Sequence, residues 1–160
     1  MANTYTQLYI QLVFAVTDRE HLIPKQYKEQ VQQYMTQVIQ ERNHKLLAIN
    51  CMPDHTHIFI GQHPTQSLSD LVEQTKTAAT KFIKKQYWMP FNFSWQRGFG
   101  AFSYSRSHID RVVKYVRNQE EHHEKRTFRE EYLDMLNKFD IDYDKKYTFQ
   151  FYDDLYDLKG

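Results

Sequence analysis

Alternation organises the first stretch of the chain. Leu8, Ile10, Leu12, Phe14 and Val16 fall on one side of residues 5–16 and Tyr9, Gln11 and Val13 on the other, the period of two that predicts a strand. The period then lengthens. Ile23-Pro24 opens a helix over residues 24–42, since proline is accommodated in a first turn, and Tyr27, Val31, Tyr34, Met35 and Val38 form its apolar stripe. Residues 45–51 predict a second strand. Pro53-Asp54 supplies a tight turn, because proline presets φ and aspartate can bond its own backbone, and the chain folds back into a third strand ending near Gly61. Ser67 with Asp70 three residues on resembles a helix start, and Leu68, Leu71, Val72, Thr75, Ala79, Phe82 and Ile83 carry a helical stripe to about residue 87, which Met89-Pro90 ends. Residues 93–104 read as a strand broken by Gly98 and Gly100, glycines that signal a bulge or a close backbone approach. Ser107 and Asp110 open a further helix with Ile109, Val112, Val113 and Val116 as its buried stripe, and a last helix covers about 128–138.

The order of elements predicts an α+β protein. Its core is a ferredoxin-like β-α-β-β-α-β arrangement with an antiparallel sheet, to which a C-terminal helix and a helical, aromatic tail are added. Residues 1–126 read as one functional domain. Residues 127–160 read as a helical and acidic tail packed on that domain or on a dimer partner, its aromatic, acidic stretch from Asp140 to Tyr156 expected to pack rather than to do chemistry.

Composition narrows the setting. One cysteine, Cys51, allows no disulfide within the chain and reads as a small buried hydrophobe in a reducing cytoplasm. The opening Met-Ala-Asn-Thr leads straight into the first strand with no basic-then-apolar leader, and no run approaches the roughly 18 apolar residues of a membrane span, so a soluble, cytoplasmic protein is expected. The net charge of +1 conceals an asymmetry: residues 1–126 hold 16 Lys and Arg against 11 Asp and Glu, while 127–160 hold 5 against 9. A mildly basic body is compatible with nucleic acid. Lys76, Lys81, Lys84 and Lys85 share the polar side of the second helix, either as a solvated face or as phosphate contacts, and Arg97, Arg106 and Lys114 join them as candidate DNA contacts. Trp95, Phe99 and Tyr104 could stack on bases or pack in the core.

The chemistry-bearing pattern starts in the third strand. Residues i and i+2 of a strand share a face, so His55 and His57 project together while Thr56, Ile58 and Ile60 face the core. Two imidazoles on one rigid face can hold one metal ion, or simply be polar residues on a solvated surface. On the helix after Ser107, about 100° per residue puts Tyr115, Gln119 and His122 on one stripe beside the apolar one. Laid on the sheet, that helix brings the Gln119 carboxamide oxygen to the histidines as a third ligand and leaves Tyr115 facing the open positions.

Pro53-Asp54-His55-Thr56-His57, followed by Tyr115-Val116-Arg117-Asn118-Gln119-Glu120-Glu121-His122-His123, resembles the HUH single-tyrosine transposases of the IS200-like type. The likeness spans about residues 5–126, and the stretch Trp95 to Ser103 is similar to a strand of the subgroup that includes REP-associated tyrosine transposases. The resemblance implies a transposase whose His55, His57 and Gln119 hold a divalent Mg²⁺ or Mn²⁺ with no nucleotide cofactor. Tyr115 would be the nucleophile that forms a 5′-phosphotyrosine and frees a 3′-OH, with His122 or His123 available for proton transfer or a phosphate contact. It further implies single-stranded DNA with hairpin ends as substrate, and a homodimer in which one subunit's tyrosine helix can complete the partner's site. Two other readings stay open: a domesticated nuclease acting on chromosomal palindromes, and a non-catalytic nucleic-acid binding module whose histidines are structural.

Overall fold

The computed structural model of the chain describes residues 3–17, 22–89 and 92–151. Strands β1 (Tyr9–Ala15), β2 (Lys45–Cys51), β3 (His55–Gly61) and β4 (Gly100–Tyr104) form one sheet in the order β2-β3-β1-β4, every neighbouring pair antiparallel. This is the expected ferredoxin-like order, with helices α1 (Lys28–Glu41) and α2 (Leu68–Gln86) as the crossovers. Helices α3 (Ile109–Arg117), α4 (Gln119–Lys125) and α5 (Phe128–Lys138) follow. Pro90 and residues 152–156 of the acidic aromatic stretch lie outside the described residues.

The strand period divides the core as its alternation predicts. Leu12, Phe14, Ile58 and Ile60 cluster with Val31, Met35 and Ile39 of α1 and Leu71, Val72, Ala79 and Ile83 of α2. Across the sheet, Ala48 and Phe59 pack with Val112 and Val116 of α3. The Cys51 thiol is buried against the Met35 sulfur, and burial pushes its pKa up to about 12. Ser67 caps α2 by accepting from the Asp70 N–H at 3.1 Å, as its spacing suggests.

Three local readings differ from the structure, each for a tertiary reason. Pairing of β1 begins at Tyr9 rather than near residue 5, because its partner β3 ends there, with Tyr9 opposite Gly61. Only Gly100–Tyr104 of the 93–104 segment is strand; before it the chain touches the sheet through a Val16–Trp95 bridge and turns at Gly98, whose φ is +82°. Gly100 does make the close approach that its glycine signals, since a Cβ there would lie 2.6 Å from the Tyr132 hydroxyl. The tyrosine helix, finally, is not continuous. It breaks at Asn118 (φ −95°, ψ 26°), where the buried Asn50 side chain donates to the carbonyls of Val116 at 3.0 Å and Arg117 at 3.2 Å.

The C-terminal segment packs on the sheet's tyrosine-helix side. Phe128, Tyr132, Met135, Leu136 and Phe149 belong to the main core cluster, and the Gln96 side-chain amide exchanges 2.8 Å hydrogen bonds with both backbone groups of Gln150. Trp95 meets Phe14 and Phe93 edge-on, each at 4.9 Å between ring centroids, so its ring is committed to packing.

Candidate active site

Strand β3 is paired on both sides, which fixes His55 and His57 as rigidly as any residues in the fold, and both are fully buried. Their outer nitrogens are already engaged. His55 Nδ1 lies 2.7 Å from Asp54 Oδ1, and His57 Nδ1 lies 2.7 Å from Gln11 Oε1, Gln11 in turn donating to the Tyr104 hydroxyl at 3.0 Å. On α4, His123 Nδ1 lies 3.0 Å from the Arg126 carbonyl oxygen. All three acceptors are oxygens, so each Nδ1 carries a proton and each Nε2 is the nitrogen turned inward, the one through which such an imidazole can bind a metal ion.

Those inward nitrogens converge with two oxygens. His55 Nε2 is 3.1 Å from His123 Nε2 and 3.3 Å from Gln119 Oε1, and Gln119 Oε1 is 3.0 Å from His123 Nε2. Glu131 Oε1 closes the group at 3.0 Å from His57, 3.3 Å from His123 and 3.7 Å from His55, all to Nε2. Five lone-pair-bearing atoms so close are held together by shared protons or by a cation among them. Neighbouring ligands of an ion with bonds of about 2.1 Å stand roughly 3.0–3.4 Å apart, so the donor set and its spacing fit a divalent ion. His55, His57 and Glu131 alone form a fully buried group able to hold one.

Tyr115 borders this cluster within the same chain. Its ring meets His57 edge-on at 5.9 Å, and its hydroxyl donates to Glu131 Oε2, which also accepts from Gln119 Nε2 at 3.0 Å. The Arg126 guanidinium, held by Asp134 at 3.2 Å, is a second hydrogen-bonding neighbour of that hydroxyl. Phe128 stacks on His55 at 3.9 Å, 6° from parallel, with Phe149 and Phe151 behind it.

Burial and charge set the protonation tendencies. Burial pulls the His55 pKa down, but the carboxylates of Asp54 and Glu131 outweigh it and leave it raised. At His57 burial wins and the pKa is lowered. Burial acts to raise the Glu131 pKa, yet the surrounding imidazoles hold it well below the usual carboxylate range. Burial first, then the Glu131 charge, raises that of Tyr115 and keeps it a neutral phenol.

Of the residues singled out from the sequence, His55, His57, Gln119 and Tyr115 come together. The two adjacent histidines leave α4 about 100° apart: His123, four residues after Gln119, enters the cluster, while the His122 ring lies 4.7 Å from that of Tyr115. Lys81, Lys84, Lys85, Arg97, Arg106 and Lys114 are exposed. Lys76 is not free to reach a ligand, because its Nζ donates to the carbonyls of Gln96 at 2.9 Å and Gly98 at 2.7 Å, and burial lowers its pKa to about 8. Glu131, Asp54 and Gln11 escaped notice as site residues. For Glu131 a signal was present: it occupies the apolar stripe Phe128, Tyr132, Met135, Leu136 of α5, where a carboxylate has no reason to be unless it is paired.

A family model described as IS200-like transposase matches residues 4–119. Among solved structures, the chain is similar to one from Deinococcus radiodurans R1 assigned as a transposase, at 18% identity with a TM-score of 0.59, covering 74% of this chain and 95% of that one. It is also similar to a REP-associated tyrosine transposase determined bound to a REP hairpin, at 14% identity with a TM-score of 0.57, covering 77% of this chain and 73% of that one. No curated protein matches the chain significantly. Among the described residues, no helix is long and apolar enough to cross a membrane.

Proposed function

The chain belongs to the IS200-like transposase family, and from that premise we propose that it cleaves and rejoins single-stranded DNA at hairpin-bearing ends through a covalent bond to Tyr115. The observation that carries this reading is the convergence, in one buried cluster, of His55, His57 and Gln119 beside the Tyr115 hydroxyl.

The roles follow from the placement. His55, His57 and Gln119 hold a divalent ion, oriented by Asp54 and Gln11 behind the imidazoles. When bound, the ion polarises the scissile phosphate and offsets the charge that builds on its oxygens. The Tyr115 oxygen attacks phosphorus and gives up its proton, the bond to the 3′ oxygen breaks, and that oxygen leaves as a 3′-OH with the 5′ end on Tyr115. Attack by a second 3′-OH reverses the step and releases the phenol. With a pKa of about 10 in water, a phenol is a better leaving group than an alkoxide, so rejoining needs no nucleotide. Arg126 and His122, beside Tyr115, are placed to meet phosphate charge. His55, His57, Gln119 and Glu131 are fully buried, so a phosphodiester reaches them only when the aromatic cover over His55, the rings of Phe128, Phe149 and Phe151, moves aside. Lys81, Lys84, Lys85, Arg97, Arg106 and Lys114 are the candidate contacts for the DNA backbone.

Incubating the protein with labelled single-stranded hairpin DNA and Mn²⁺ or Mg²⁺, beside Tyr115→Phe, tests the reading on a denaturing gel. A metal-dependent covalent band absent from the variant is expected. DNA binding without adduct or cleavage would instead favour the non-catalytic binding module, and cleavage confined to chromosomal palindromes the domesticated nuclease. Because one chain brings Tyr115 to its own His57, we further propose that each subunit carries a complete site, also within any homodimer. Mixing Tyr115→Phe with His57→Ala then gives no adduct, whereas recovered activity would establish exchange of the tyrosine helix between subunits.

A further inference from the structure

Two of the five converging acceptors, His123 Nε2 and Glu131 Oε1, come from residues beyond 4–119, the part of the chain that the family model matches. We propose that the segment after Gln119 completes the metal centre: His123 and Glu131 ligate the same ion as His55, His57 and Gln119, and the second oxygen of Glu131 positions the Tyr115 hydroxyl beside it. This rests on the metal-dependent reading above and extends it to residues outside the recognised motif.

Three observations support it independently. First, His123 and Glu131 lie 3.0–3.7 Å from the motif's own donors, a spacing that brackets the 3.3 Å between His55 Nε2 and Gln119 Oε1. Second, two imidazoles and a carboxamide are neutral, whereas the buried Glu131 carboxylate brings a negative charge into a site from which water is excluded. A divalent ion supplies the countercharge to Glu131 and to the buried Asp54 carboxylate behind His55. Third, α5 is built to hold the carboxylate in place. Thr127 caps it by accepting from the Glu130 N–H, Phe128 anchors it on the His55 ring, and Tyr132, Met135 and Leu136 sink its apolar stripe.

Three nitrogens and two oxygens make a set that suits Mn²⁺, Co²⁺ or Zn²⁺ better than Mg²⁺, which prefers oxygen ligands. The set also explains how Glu131 can face both ways. Oε1 points to the imidazoles while Oε2 accepts from Tyr115 and Gln119, so one rigid carboxylate spans ion and nucleophile.

Mn²⁺ alone is the probe, titrated without DNA into the metal-stripped full chain and followed by calorimetry and by the electron paramagnetic resonance of free Mn²⁺. One ion per chain is expected. Glu131→Gln and His123→Ala each weaken binding roughly 10- to 100-fold, as loss of supporting groups at metal sites does. His57→Ala weakens it as the motif control. Circular dichroism melts without metal establish that each variant is folded. If Glu131→Gln is not, Glu131→Asp and His123→Gln carry the same comparison. Wild-type affinity in folded Glu131 and His123 variants, alongside loss in His57→Ala, overturns the proposal. No DNA step is read, so failure of the adduct assay would sink the transposase reading and leave this result standing; a wild-type chain that binds no Mn²⁺ would sink the metal reading itself.

Discussion

Gly100→Ala tests whether the position of α5, and with it Glu131, depends on a single missing methyl group. In β4 opposite Val13, a Cβ at residue 100 would sit 2.6 Å from the Tyr132 hydroxyl, 3.0 Å from Phe102 Cε2 and 3.1 Å from Tyr132 Cε2. Favourable contact begins near roughly 3.5 Å, so Tyr132 has to retreat by up to about 1 Å. It cannot do so cheaply: Tyr132 is buried in van der Waals contact range of Phe128, Phe149 and Phe102, with ring centroids 5.7, 4.9 and 6.3 Å away. Overpacking of this kind costs about 1–3 kcal/mol. Because residue 100 has an ordinary extended φ, the whole cost is steric. Removing the hydroxyl in Tyr132→Phe takes away the 2.6 Å clash but not the two ring contacts, so the double variant should recover part of the loss. A coupling of about 0.5–2 kcal/mol is expected in the cycle. Urea denaturation followed by circular dichroism measures the cycle, and Mn²⁺ titration of the same proteins reads the displacement of the neighbouring Glu131. A Gly100→Ala protein as stable as wild type, or a cycle without coupling, refutes the reasoning.

Other expectations follow from single contacts. Burial holds Lys76 at about 8 against its ordinary 10.5, so between those values the unfolded chain binds the extra proton and stability rises with pH; Lys76→Met should lose that rise, and parallel pH profiles would contradict it. Asn50→Ala removes the donor to the Val116 and Arg117 carbonyls and should cost about 1–3 kcal/mol while slowing adduct formation, since Tyr115 sits in the turn those bonds terminate; an unchanged melting temperature would show that the break at Asn118 does not need Asn50. If exposed Lys84 and Lys85 contact phosphates, replacing each by Ala should flatten the dependence of log affinity on log salt by about 0.7 for single-stranded DNA. An unchanged slope would remove them from the interface.

The sequence by itself determined most of the scaffold, because strand and helix periods are local. Alternation alone put His55 and His57 on one face and Ile58 and Ile60 on the other, and the stripes of α1 and α2 predicted the residues that cover the second face. The spacing of Tyr115 and Gln119 likewise put them on one side of one helix. The remaining half of the site was decided by contacts far apart in the chain. Asn50 bonds the end of the tyrosine helix 66 residues after itself, at a break that a uniform helical period does not show, and the place of α4 on the sheet brings His123, four residues after Gln119, to the metal-binding nitrogens. Glu131 reaches His57 across 74 residues; its place in the apolar stripe of α5 signals a paired carboxylate but not its partner. A helical wheel reports which way a side chain leaves its own axis; where that axis lies on the sheet is set by the core, and the core is the sum of all the elements.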